Sequence, residues 1–352
     1  MIDTLIQQGQ PFAAYRVPGE KPLLVSAQAA GSIRLVHDLE ELDGKQGFVI
    51  APFCISHTHP AVLIESEKTD MPFHLDTEDE DTSPMHFPEE SFRTDCTEEY
   101  ATRFLTFSQA LQEGRFDKLV FSRSYCMKRM PEFSPEAVFK AACRRYIHSY
   151  VYLCHTPQTG TWLGCTPEII LSGEKNRWNT VALAGTQPLQ NGQLPQAWDE
   201  KNRKEQAYVT KYIREQLQSL GIPAEENGPY SAYAGALSHL KTDFSFTLDD
   251  NNNLGRLLKV LHPTPAVCGL PKEAAYRFIL ANEGYDRSYY SGFIGRLDPD
   301  GKTGLYVNLR CMHIGNDSLT LYAGGGLLPS SDLKDEWLET EKKMQTLKRL
   351  LR

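Results

Sequence analysis

The sequence predicts an α+β fold built on antiparallel sheets. Strand-like runs arrive in series between Gly, Pro and Asp breaks, and helices come in pairs without strict β-α alternation. At 352 residues, with 41% hydrophobic and 23% charged, the chain can bury a substantial core. It holds one large domain or two ordinary ones, with no fixed-period repeat and no second compositional domain after residue 97.

Charge narrows the partners. A formal net charge of -8 offers no footprint for a nucleic-acid backbone or an anionic membrane surface. An anionic small molecule must instead meet a local cluster of donors. No stretch approaches the ~18 apolar residues of a membrane span, and "MIDTLIQQGQ" lacks a signal-peptide layout. The expected location is the cytoplasm, with no membrane and no nucleic acid as partner. Eight cysteines (54, 96, 126, 143, 154, 165, 268 and 311) show no metal-binding spacing and read as reduced, mostly buried residues.

Along the chain, residues 1–64 offer strand-like runs such as "PLLVSA" and "GFVIAPF" without recognisable chemistry. Residues 65–90 carry ten acidic residues against one Lys, too charged to pack, and read as an exposed loop. Thr97 then caps an amphipathic helix whose Tyr100, Phe104, Phe107 and Leu111 recur at helical spacing until Gly114. "DKLVFSRSYC" is a strand, and Ser134 and Pro135 open the next helix. Strands follow at "YVYLC", "TWLGC", "EIILSG" and "NTVALAG", then a long helix from about Asp199. A helix near "PKEAAYRFILANEG" precedes strands "SGFIGRL", "TGLYVNLRCMHI" and "SLTLYAG", and a final helix starts at about Ser331.

Several charged residues sit where the pattern calls for apolar ones. Glu205 heads the stripe Val209, Tyr212, Ile213, Leu217, Leu220, where a carboxylate needs a cation or a metal; a salt bridge to a neighbouring Arg is the plainer reading. In the final helix, Glu336, Glu339 and Lys343 fall within roughly 60° along one border of the apolar side. Oxygen donors from two helices are what Mg²⁺ prefers. The run "AGGGLL" ends a strand with bare backbone N–H groups able to receive a carboxylate, or serves a tight turn. Arg310 reads as a mid-strand residue that meets a carboxylate, from the protein or from a ligand. Lys118 and Glu168 each adjoin a strand read as buried, and desolvation favours the neutral form of both.

Taken together, "KLVFSR", "GCTPEIIL", "ALAGTQP", "KNRKEQAYV", "LHPTPAVCGLPKEAA", "YYSGFIGRLD", "VNLRCMHI", "LYAGGGLL" and "EWLETEKK" resemble, in order, the motifs of the chorismate-utilising enzymes over residues 97–352. The resemblance implies a single large α+β domain of two packed antiparallel sheets flanked by helices. Residues 1–96 form its divergent N-terminal part, with the acidic loop at 65–90. Within the family the resemblance is closest to the isochorismate synthases, which move the hydroxyl of chorismate from C4 to C2. It implies Lys118 as the base for water and Glu168 as the acid for the C4 hydroxyl. Gly185, Thr186, His239, Ala266, Tyr290, Arg310, Gly324, Gly326 and Lys343 would bind chorismate. Glu205 and Glu339 would bind Mg²⁺, with Glu336 acting through water. Ala184 replaces the nucleophilic Lys of the aminodeoxychorismate synthases. The chain departs from the family pattern at Gln206, usually His, and at Ser288, usually Gly. A salicylate synthase is the enzymatic alternative, and a non-catalytic chorismate-binding protein the other. The family tendency is a monomer.

Overall fold

The computed structural model describes residues 1–26, 33–65, 71–73, 96–190, 192–234 and 237–351. The N-terminal part supplies strands β1 (Phe12–Arg16), β2 (Leu23–Ser26), β3 (Ile33–Val36), β4 (Gly47–Ala51), β5 (Ala61–Glu65) and β6 (Met71–Pro72). Then come β7 (Lys118–Lys128), β8 (Tyr150–Thr156), β9 (Gly160–Thr166), β10 (Ile169–Glu174), β11 (Arg177–Pro188), β12 (Ala224–Ala234) and β13 (Leu237–Thr247). The last are β14 (Gly269–Leu270), β15 (Phe293–Leu297), β16 (Lys302–Val307), β17 (Cys311–Ile314) and β18 (Ser318–Leu327). The helices are α1 (Ile2–Gln7), α2 (Glu98–Gln112), α3 (Pro135–Arg145), α4 (Glu200–Ser219), α5 (Leu254–Leu261), α6 (Lys272–Asn282) and α7 (Leu333–Lys348).

The strands build two antiparallel sheets, ordered β14-β7-β18-β17-β9-β8-β1-β2-β6 and β12-β13-β11-β10-β16-β15-β4-β5-β3. Alternation along β4 explains how they stack. Phe48 and Ile50 join Tyr150, Tyr152, Trp162 and Tyr306 between the sheets, while Val49 and Ala51 face the outer layer with residues of α4 and α5. Tyr150 and Tyr306 stack across the seam with centroids 4.1 Å apart. On the outer face of the first sheet lie α3 and the Met344 and Leu347 stripe of α7. The result is the expected α+β domain, helices on both outer faces of two packed antiparallel sheets.

Caps stop and start the helices where the sequence placed them. Thr97 accepts from Tyr100 N, Ser134 from Ala137 N, Asp199 from Asn202 N and Asp332 from Lys334 and Asp335 N. One expectation is corrected. Arg310 is not in mid-strand: β16 ends at Val307, β17 begins at Cys311, and Arg310 has φ +48° in the connection. The chain there leaves the second sheet for the first, so an unbroken apolar pattern hides a change of sheet. Of the expected acidic loop, residues 66–70 and 74–90 lie outside the described residues.

A buried ion pair ties these layers behind the glycine strand. Arg287 holds Glu283 bidentately, at 2.6 and 2.7 Å, and also donates to the carbonyls of Val267 and Val120. Glu283 accepts from both the backbone N–H and the hydroxyl of Ser122 in β7. The next residue, Ser288, sits at φ +51° with its N–H on Asp286 Oδ1, which explains why glycine is usual at this position in the family the sequence resembles. Arg287→Met leaves an unpaired carboxylate fully inside the protein. It should lower unfolding free energy by about 3 to 5 kcal/mol in urea denaturation.

Candidate active site

The site forms where the chain twice changes sheet. Pro167 and Glu168 connect β9 of the first sheet to β10 of the second; Asn308, Leu309 and Arg310 connect β16 back to β17. The two connections are laced together: Val307 N–H donates to Glu168 O, Thr166 Oγ1 to Val307 O, and Cys165 N–H to Arg310 O. Between them opens a cleft. Its walls include Glu168 and Arg310, Gly185 and Thr186 from β11, His239 from β13, and Gly324 to Gly326 from β18.

Among the residues singled out from sequence, Ala266, Tyr290, Glu205 and Lys343 also line this cleft. Lys118 stands directly behind it, fully buried, with Nζ 2.9 Å from Glu205 Oε1 in an ion pair that lacks hydrogen-bond alignment. Glu336 and Glu339 stand beside it across Gly325. Every predicted site residue therefore belongs to one neighbourhood.

The glycine run has a steric reason. A Cβ on Gly326 would lie 2.1 Å from Glu205 Oε1 and 2.8 Å from Lys118 Cε. A Cβ on Gly325 would meet Glu336 Oε2 at 2.9 Å and Glu339 Oε1 at 3.3 Å. Residues 324–326 pair with Ser122, Phe121 and Val120 of β7, so helices α4 and α7 press their carboxylates onto bare backbone.

Each of those carboxylates has its own ammonium. Glu205 has Lys118, Glu336 has Lys201 Nζ at 2.5 Å, and Glu339 has Lys343 Nζ at 2.6 Å. The partner of Glu205 is thus a lysine of the site, not a neighbouring Arg. Burial, reinforced by the Glu339 charge, pushes the Glu336 carboxyl up to about 7 despite Lys201. Burial also acts on Glu339, but Lys343 and Lys201 outweigh it and hold its carboxyl below the usual range.

Glu168 has no such partner among the described residues. Burial raises its carboxyl to about 8 although Lys118, Lys343 and Arg310 pull the other way, so it is largely protonated at neutral pH. His239 is driven the opposite way, to about 3, by burial and by Arg310 and Lys343, and is neutral. Its Nδ1–H donates to Gly185 O at 2.7 Å, and its Nε2 accepts from Arg310 Nη2 at 3.4 Å. Arg310 is buried, yet it makes no ion pair among the described residues; Thr346 Oγ1 at 3.4 Å is its other contact. A buried guanidinium that faces a cleft without an ion-paired protein carboxylate can accept a carboxylate from a ligand.

Two neighbours escaped the sequence reading. Lys201 and Asn202 precede Glu205 by four and three residues, which puts all three on one helical face. Asn202 Oδ1 accepts from Thr186 N–H at 2.9 Å and so fixes the backbone after Gly185, whose φ is +74°. Of the two departures from the family pattern, Gln206 is satisfied by Thr210 and Thr242, each at 2.8 Å.

The acidic side chains suit a hard divalent cation. Glu336 Oε2 is buried without a hydrogen-bond partner and shares the space over Gly325 with Glu339 Oε1. Two carboxylates completed by water are a usual Mg²⁺ environment. Among the described residues no group of three or more His, Cys, Asp or Glu side chains converges on one metal position. Glu205 points over Gly326, one residue along.

The model of a family described as "Chorismate binding enzyme" matches residues 41–352. Isochorismate synthase EntC of Escherichia coli is 31% identical over 209 residues, 56% of this chain and 53% of that protein. The salicylate biosynthesis isochorismate synthase of Pseudomonas aeruginosa is 30% identical over 250 residues, 69% and 52% of the two chains. The chain spans about half the length of these curated relatives. Two solved structures share the fold at a TM-score of 0.78: a putative 2,3-dihydroxybenzoate-specific isochorismate synthase of Bacillus anthracis, 21% identical, and the menaquinone-specific MenF of E. coli, 20% identical. The first covers 100% of this chain and 99% of that one, the second 100% and 91%. With the family model covering all but the first forty residues, and the motifs that carry the resemblance gathered about one cleft, the chain belongs to the chorismate binding enzyme family.

Proposed function

We propose that the protein is an isochorismate synthase, isomerising chorismate by adding water at C2 and releasing the C4 hydroxyl, to feed menaquinone or siderophore biosynthesis. The observation that carries this reading is a carboxyl held protonated in the cleft wall, Glu168, with the wholly buried Lys118 directly behind the cleft and the guanidinium of Arg310 facing it without an ion pair among the described residues. All of these residues lie in 97–352, which we take as the catalytic region. The unpaired cysteines suit a reducing cytoplasm, and no helix among the described residues is long and apolar enough to cross a membrane.

Arg310 and Lys343 bind the carboxylates of chorismate, in a cleft that the Gly324 to Gly326 backbone also lines. Neutral His239 packs beside the ring, its orientation fixed by Gly185 O. Lys118 in its amine form takes the proton of the water that adds at C2; while paired with Glu205 it is an ammonium and must first give up a proton. Glu168 gives its proton to the departing hydroxyl. Glu205 and Glu339 would hold Mg²⁺, with Glu336 acting through water, and the ion would supply charge to neutralise the ring carboxylate and draw electron density from the diene.

Glu168→Gln keeps the shape of the acid and removes its proton, so turnover should fall by about 10² to 10⁴ while chorismate still binds, measured by isochorismate formation and by equilibrium binding. Retention of near-normal turnover would refute the acid assignment. Because Glu168 must be protonated to act and its folded value is raised to about 8, kcat/KM should hold through neutral pH and decline as pH rises past about 8. The variant Gly326→Ala should cut activity sharply, since its methyl displaces Glu205 or Lys118. Chromatography of the products decides the chemistry, isochorismate alone for a synthase, salicylate and pyruvate for a salicylate synthase, and unchanged chorismate for a binding protein.

A further inference from the structure

Lys201 is the one ammonium of the three that can leave. Its side chain keeps 31% of its exposure, against 0% for Lys118 and 13% for Lys343. Lys118 is enclosed behind the cleft, and Lys343 is further anchored by its hydrogen bond to Gly324 O at 2.7 Å. Lys201 lies in the first turn of α4, and its polar contact among the described residues is Glu336 Oε1. The other oxygen of that carboxylate is buried, unpartnered, and turned toward the space over Gly325 that it shares with Glu339.

We propose that Lys201 is an exchangeable internal counter-ion, closing on Glu336 when no metal is bound and withdrawing to solvent when a divalent cation takes its place. The inference rests on the metal-binding role given to Glu336 and Glu339 under the proposed function. Its physical basis is that two neighbouring buried carboxylates cannot both stay charged with a single cation between them. Lys343 serves Glu339, so Glu336 requires a second positive charge, and Lys201 supplies it. A divalent ion over Gly325 supplies more charge at shorter range and repels the ammonium. The lysine thus keeps the empty site folded and competes with the metal for it. Lys201 is a positioning residue, with no contact to the reacting atoms.

The test measures Mg²⁺ binding to the full chain by calorimetry, without substrate, in wild type and in Lys201→Met, which keeps the aliphatic stem and removes the charge. Competition predicts that the variant binds Mg²⁺ at least about tenfold more tightly, a difference of about 1.4 kcal/mol. It also predicts that the metal-free variant melts at lower temperature than wild type and that Mg²⁺ restores more of the difference. Equal or weaker binding would overturn the inference, because a lysine that merely orients Glu336 as a ligand would help the metal. A second measurement needs no variant. Amine acylation of wild type, mapped by mass spectrometry, should label Lys201 several-fold faster with Mg²⁺ than without it, and an unchanged or slower rate counts against the exchange. Wild type that binds no Mg²⁺ by either method overturns the metal assignment itself, and the inference with it.

Discussion

The site depends on a close approach that only glycine permits. Strand β18 carries no side chain at residues 324–326, so the carboxylates of α4 and α7 reach the face of the β7–β18 pair. Burying three carboxylates there costs several kcal/mol each unless cations come with them. Lys118 arrives from the strand paired with the glycines, Lys201 from the helix that carries Glu205, and Lys343 from the helix that carries Glu336 and Glu339. A methyl group at Gly326 would break the first of these pairs, and with it the meeting of strand and helix.

The second organising feature is the exchange of strands between sheets. Both connections that line the cleft are short, and their backbone groups satisfy one another across the gap, which keeps non-sheet backbone inside the protein at little cost. Asn308, fully buried, closes the arrangement by accepting from Tyr152 Oη and donating to Tyr289 O. One connection presents Glu168 and the other Arg310, so the protonated carboxyl and the guanidinium are fixed by the same hydrogen bonds that hold the sheets together. Behind them the Arg287–Glu283 pair fixes Val120 and Val267, two further walls of the cleft.

Most of the fold and the site's membership were legible in the sequence, because helix caps, apolar periodicity and motif order are local signals. The hairpin of β12 and β13 was not. In β13 residues of both faces are buried at the start of the strand, the polar Ser238, His239 and Thr242 among them beside Leu240 and Phe244, so a strand that serves the cleft does not show the usual alternation. Helix α5 lies outside the expected elements, and Arg310 lies outside the strand its sequence suggests, since sheet identity is a tertiary property that no periodicity encodes. Lys201 lay within the motif "KNRKEQAYV", yet its partner is 135 residues away and only the fold reveals it.

Charge accounting ties geometry to substrate choice in a chain that is acidic overall. In the cleft and its wall, Lys118, Lys201, Lys343 and Arg310 stand against the carboxylates of Glu205, Glu336 and Glu339, while Glu168 is held protonated and His239 neutral. The lysines are matched one to one with carboxylates; Arg310 is the positive charge left over. A neutral ligand would leave that guanidinium buried and uncompensated, whereas a carboxylate satisfies it with bidentate geometry. On the proposed function, a divalent metal ion would raise the surplus and accommodate a second carboxylate, and selectivity for a dianion would follow from which cation the protein declines to pair, with little bearing from the net charge of the whole chain.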